Sequence, residues 1–198
     1  MKKFFSLLLL TVFFCVLPSL ARAEKNKFKD ENFNFKQIKT VQITNLSSKT
    51  PKLSTYTEDI NAAAKVLNTL EIDLQKRHIK TSATNNAPIN IQVTINALGT
   101  FIEHVAAYDE TKTVDKKTVG KDAAGHDVVV TIPAEEVVHH EAKDITHAIA
   151  DLTFIVTDNK TGAEIYTLTD SRERSNEDDT SGMLGRICKD FAKDISRN

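Results

Sequence analysis

The 198-residue sequence is nearly neutral, with 26 Lys and Arg residues against 27 Asp and Glu residues and a net charge of −1 at pH 7. Because it has neither a basic excess nor a basic patch, we expect no binding to nucleic acid or to an anionic membrane surface. The length fits one domain.

Residues 1–23 have the features of a cleavable secretory signal peptide. Lys2 and Lys3 precede an apolar segment at 4–17, and a small-x-small cleavage site at 21–23 ends before Glu24. The apolar segment is shorter than the about 20 residues that a membrane-spanning helix needs. We therefore expect an exported protein with no transmembrane span after cleavage.

The leader resembles bacterial ones and predicts export to the periplasm or the cell surface. Phe13 and Phe14 precede Cys15, where a lipobox has small residues, so no lipid anchor is expected. The leader holds three cationic residues, which leaves 23 against 27 acidic residues and a net charge of −4.

The first part of the mature chain is predicted to be irregular. Residues 24–36 are charged and asparagine-rich and are expected to form a loose N-terminal lead-in whose phenylalanines dock on the domain. Residues 37–44 alternate imperfectly and predict a short strand. The Ser-, Thr- and Lys-rich segment 45–57 predicts a loop.

Residues 57–79 predict an amphipathic helix that Thr57 caps. Apolar side chains at three- and four-residue spacing form its expected buried stripe, namely Ile60, Ala63, Ala64, Leu67, Leu70 and Leu74.

The strongest strand pattern lies at 88–98, where apolar and polar residues alternate strictly. Gly99 interrupts the pattern and predicts a bulge or bend before an extended segment at 100–108. The charged, threonine-rich segment at about 109–133 predicts an exposed hairpin that projects from the main sheet as an arm.

Residues 148–171 predict the central hairpin. Two β-branched runs flank a turn at 158–162 that ends in Gly162, a residue that adopts positive φ without steric cost. A last helix is expected at 181–196. Cys188, the single cysteine after the leader, is expected to be buried in its apolar stripe, so no internal disulfide is expected.

These elements predict an α+β fold, with a single layer of antiparallel-rich sheet, two helices packed on one face and a projecting β-hairpin. Residues 37–198 are expected to form one domain.

Four segments carry a family resemblance, namely 39–43, 62–74, 89–93 and 156–166, of which the last combines two strands with an Asp-x-x-Thr-Gly turn. In these the chain resembles a family of secreted bacterial envelope proteins of unknown function with a periplasmic α/β domain. The layout is similar to the N-terminal domain of TolB and to lipoprotein activators of penicillin-binding proteins. The resemblance implies an envelope location and no catalytic residues.

Histidines are concentrated in the middle of the chain and suggest a metal-binding alternative. His139 and Glu141 would share one face of a strand, with His140 beside them and His104 on a neighbouring strand. Two imidazoles and a carboxylate suit Zn²⁺. The other interpretation is that these are polar residues on the surface of an exposed hairpin, with neither metal nor cofactor.

No nucleophile motif such as Gly-x-Ser-x-Gly and no glycine-rich phosphate loop occurs in the sequence. The leading hypothesis is therefore a non-catalytic envelope protein that binds an unknown envelope protein through the arm. The metal-binding protein is the alternative, and self-association through exposed strand edges is a third interpretation.

Overall fold

The computed structural model describes residues 23–53, 55–83 and 87–197. Residues 1–22 of the predicted signal peptide lie outside this range. Neither of the two helices described, each of 14 residues, is long and apolar enough to cross a membrane.

Nine strands and two α-helices follow one another along the described chain, with one short 3-10 helix at Phe35–Gln37. Their bounds are β1 Ala23–Lys29, β2 Thr40–Ser48, β3 Thr57–Glu58, α1 Ala62–Gln75, β4 Lys80–Thr81, β5 Ile89–Val105, β6 Tyr108–Lys121, β7 Asp127–His140, β8 Lys143–Asp158, β9 Glu164–Ser175 and α2 Ser181–Asp194.

The predicted fold class is wrong. Strands make up 54% of the described residues, in a curled, mixed seven-stranded sheet and a second, two-stranded sheet, so the fold is mostly β. Along the large sheet the order is β1-β9-β8-β5-β2-β4, with β3 also pairing with β5. The β2 strand runs parallel to both β5 and β4, and this non-local pairing makes the sheet mixed.

The central hairpin is confirmed as β8 and β9, which lie between β1 and β5 in the large sheet. Its turn closes as the sequence predicts. Gly162 has φ +72° and donates from its N–H to the carbonyl of Asp158 at 2.7 Å. The Asp158 side chain also accepts hydrogen bonds from Lys160 N at 3.0 Å and from Thr161 Oγ1 at 2.9 Å.

The core lies between the large sheet and the helices. The apolar stripe predicted for the last helix is buried, namely Leu184, Ile187, Cys188, Phe191, Ala192 and Ile195. Phe191 stacks on Phe154 of β8 with ring centroids 4.2 Å apart. The stripe predicted for α1 is shifted, since Val66, Leu70 and Leu74 are buried whereas Ile60 is 83% exposed.

The α1 helix begins later than predicted because residues 57–58 form β3 against β5. Gly99 makes this pairing possible, because a Cβ at this position would lie 2.1 Å from the carbonyl oxygen of Thr57. The bulge in β5 lies between Ile95 and Ala97, not at Gly99.

Part of the predicted lead-in forms the edge strand β1, which pairs antiparallel with β9. Lysines alternate along β1 and meet α2, since Lys25 lies 3.6 Å from Asp190 and Lys27 lies 3.2 Å from Asp194. Two residues of strand and four residues of helix both advance about 6 to 7 Å. The spacing of the lysines along β1 therefore matches the spacing of Asp190 and Asp194 along α2.

Candidate functional site

The most unusual part of the molecule is the hairpin of β6 and β7, residues 108–140, which we call the arm. Its strands pair with each other from Tyr108↔His140 to Lys121↔Asp127 and form a sheet of their own. Fourteen residues of strand correspond to a length of about 45 Å. The arm is longer at both ends than the predicted 109–133.

The arm continues the ribbon formed by β5 and β8. Pairing of those two strands ends at Val105↔Lys143, and pairing of the arm begins three residues further along the chain, at Tyr108 of β6. The chain between is short on both sides, at 106–107 and 141–142, so the large sheet fixes where the arm begins.

The turn at the tip of the arm is ordered by Asp122. Its Oδ1 accepts hydrogen bonds from the backbone N–H groups of His126 and Ala124, both at 2.9 Å. The bond from His126 makes the largest contribution to lowering the pKa of the Asp122 carboxyl below its usual value, and the bond from Ala124 adds to it. Gly125 has φ +86°, a conformation that glycine adopts without strain.

Both faces of the arm expose apolar side chains. Alternate residues of a strand lie on opposite faces, so Val128, Val130 and Ile132 share one face and are 37–45% exposed. The other face carries Val129 and Val137, which are 69% and 63% exposed. An isolated two-stranded hairpin is at best marginally stable in water.

The base of the arm is held by pairs of histidine and carboxylate. His139 Nδ1 lies 2.6 Å from Asp109 Oδ1 on the opposite strand. His140 stacks on Tyr108 with centroids 4.5 Å apart, and its Nε2 lies 3.0 Å from Glu110 Oε2. Contacts from Lys112 and then His140 lower the pKa of Glu110.

The residues of the metal-binding alternative are not brought together. His104 of β5 pairs with Asp144 of β8, while His139 and His140 lie on opposite faces of β7 and have carboxylate partners on β6. Glu141 is exposed and follows the end of β7. Within residues 23–53, 55–83 and 87–197, no group of three or more His, Cys, Asp or Glu side chains is placed to hold a metal ion.

A histidine outside the predicted metal-binding group is buried where β5, β8 and β9 meet. His147 is 3% exposed, with Nε2 2.9 Å from Glu103 Oε2 and Nδ1 2.7 Å from Glu173 Oε1. Its ring stacks on Phe101 at 4.8 Å. Through this ring, Glu103 of β5 and Glu173 of β9 are both connected to β8.

The position of His147 was hard to read from the sequence. The strict alternation of buried residues in β8 begins one residue later, at Ala148. The carboxylates come from positions 103 and 173, so only the register of three strands reveals the cluster.

No protein-family model and no curated protein sequence matches the chain. Solved structures do. The PelC dodecamer from Paraburkholderia phytofirmans is similar over 89% of this chain and 99% of that chain, with a TM-score of 0.51 and 9% sequence identity. A single-residue variant of the same protein gives a TM-score of 0.50 at the same identity and coverage.

This chain therefore shares a fold with PelC. At 9% identity the likeness concerns the fold alone. A DUF4136 family protein from Bacteroides thetaiotaomicron covers 88% of this chain and 93% of that chain at 12% identity, with a TM-score of 0.38, too low to carry an argument.

Proposed function

We propose that this chain is an exported protein of the bacterial cell envelope that acts by binding and assembly rather than by catalysis, with the arm as its contact surface. The observation that carries the proposal is the arm itself, a two-stranded sheet with apolar side chains exposed on both faces. A hairpin of this kind is stabilised when a further strand or surface covers it.

Two further observations support the proposal. The leader at 1–23 has the charge, length and cleavage pattern of a secretory signal. The solved structure with the same fold is described as a dodecamer, so this fold occurs in a protein that associates with its own kind.

Export is tested by the mass of the protein recovered from the cell envelope. We expect an N-terminus at Glu24, since the small-x-small site ends at Ala23. A protein that keeps residues 1–23 in that fraction would contradict the proposal.

The contact surface is tested by site-specific photo-crosslinking in the producing cells. A crosslinking residue at Val119 of β6 or at Val129 of β7, two apolar positions of the arm that are 67% and 69% exposed, is expected to give protein adducts. Ile60 is the matched control, because it is also apolar, is 83% exposed and lies outside the arm. Adducts from Ile60 at the same yield, or none from the arm, would refute the proposed contact surface.

A further inference from the structure

The two free edges of the arm are not equivalent, and Pro133 is the reason. Pro133 of β7 lies opposite Asp115 of β6 in a ladder that runs without a register shift from Tyr108 to Lys121. Proline has no N–H, so in an unbroken ladder its nitrogen must face away from the neighbouring strand. The free edge of β7 therefore lacks one donor at its centre.

The same register determines which groups β6 presents at its own free edge. In an antiparallel pair, directly opposed residues either both point their N–H and C=O groups at each other or both point them outward. Because Asp115 is opposite Pro133, its backbone groups point outward, as do those of Thr111, Thr113 and Lys117. The free edge of β6 therefore has an uninterrupted row of outward N–H and C=O groups, since no proline lies in this strand.

The charges on β6 are complementary to those of a second β6 strand. If two copies pair antiparallel about a two-fold axis at Thr113, Asp109 lies opposite Lys117 and Glu110 lies opposite Lys116. Each pair occurs twice by symmetry, and no like charges are directly opposed. Centring the pairing on Asp115 or Lys116 would place two identical charges opposite each other.

The lysines are available for such pairs. Lys112 and Lys121 have ion-pair partners within the arm, Glu110 at 3.1 Å and Asp127 at 3.6 Å. Lys116 and Lys117 have no ion-pair partner among the described residues. In this register, pairing of the two β6 strands would extend from Tyr108 to Thr118 of each copy.

We infer that the partner of the arm is a second copy of this chain, bound by antiparallel pairing of the two β6 strands into a four-stranded sheet. This inference rests on the proposed function and specifies its partner. Pairing supplies each hairpin with a further strand and satisfies the outward backbone groups of β6. It also forms four pairs of opposite charge.

Proline substitutions test the edge. Sedimentation velocity of the mature chain over a concentration series should show a reversible dimer. Thr113→Pro removes only an outward N–H and should weaken the dimer at least tenfold. Glu135→Pro is the matched control, because residue 135 lies opposite residue 113 and also faces outward, but on the β7 edge. Equal weakening by both variants, or a wild-type chain that stays monomeric, would overturn the inference.

Charge reversal tests the register without a backbone change. K116E/K117E places glutamates opposite Asp109 and Glu110 and should weaken the dimer roughly tenfold or more. The neutral variant K116Q/K117Q is the matched control and should weaken the dimer less, because it removes pairs of opposite charge without adding pairs of like charge, with circular dichroism confirming the fold of each. A K116E/K117E variant that dimerises as well as the wild type would overturn this register.

The inference and the proposed function fail in different ways. If the wild-type chain is monomeric but the arm still crosslinks to another envelope protein, the self-pairing is wrong and the contact surface stands. If neither occurs, both are wrong.

Discussion

Asp115 and Pro133 face each other across the arm, the first on β6 and the second on β7. This one pair sets the direction of every backbone group along both free edges, because those directions alternate strictly in an antiparallel ladder. It leaves β6 with a complete edge and β7 with an interrupted one.

Replacing the proline is predicted to open the second edge. Pro133→Thr restores an outward N–H on β7, so a dimer formed through β6 should associate further through β7. Sedimentation velocity should then show species larger than the dimer at concentrations where the wild-type chain shows none. A variant that sediments like the wild type would argue against proline as the feature that blocks this edge.

Gly99 is predicted to be essential for the pairing of β3 with β5. In Gly99→Ala the new Cβ would lie 2.1 Å from the Thr57 carbonyl oxygen, so β3 must move, at a cost of about 1–3 kcal/mol in the free energy of unfolding. Gly185→Ala in α2 meets nothing within 4 Å and should add about 0.5–1 kcal/mol. Urea unfolding of both variants gives the comparison, and equal stability would contradict it.

Asp170 is predicted to be the most important carboxylate for stability. It is 1% exposed and accepts two hydrogen bonds of 2.8 Å from Arg172, which also donates to Asp190 at 2.9 Å. Asp170→Ala should lower the free energy of unfolding by about 2–3 kcal/mol. Asp190 is 40% exposed, so Asp190→Ala should cost less than about 1 kcal/mol. The reverse order in urea unfolding would contradict this.

The Cys188 thiol is predicted to be unreactive in the folded protein. Burial, with a smaller contribution from Asp73, raises its pKa to about 12. The thiol of an unfolded chain has a pKa of about 8.5. The stabilisation that follows from the higher pKa of the folded protein is therefore complete below that pH and is lost as the pH rises towards 12. A thiol reagent at pH 8 should label the chain in urea but not in buffer. Fast labelling in buffer would contradict the buried position.

The hairpin of β8 and β9 and the helix α2 were predicted correctly because local patterns determine them. The turn at 158–162 and the apolar stripe around Ile187 and Phe191 are readable within a few residues. The edge strand β1 was missed because Lys25 and Lys27 carry no apolar alternation. It is held by the backbone of β9 and by acids of α2, which are distant in sequence.

The mixed sheet and the candidate site depend on register between distant segments. The sequence of β2 or of β5 alone does not show that the two strands pair in parallel. For this reason the predicted single antiparallel-rich layer was wrong. Composition indicated the arm, but the carboxylate partners of His139 and His140 come from β6 through a cross-strand register that spacing alone does not give.

Amide hydrogen exchange at residue resolution tests the arm as a surface for self-association most directly. Outward N–H groups of Thr111, Thr113 and Asp115 should exchange fast in dilute protein and slow at high concentration, while those of Thr131 and Glu135 on β7 stay fast throughout. Concentration-dependent protection of the β6 edge alone is the predicted result. Fast exchange at both edges at every concentration would contradict the account.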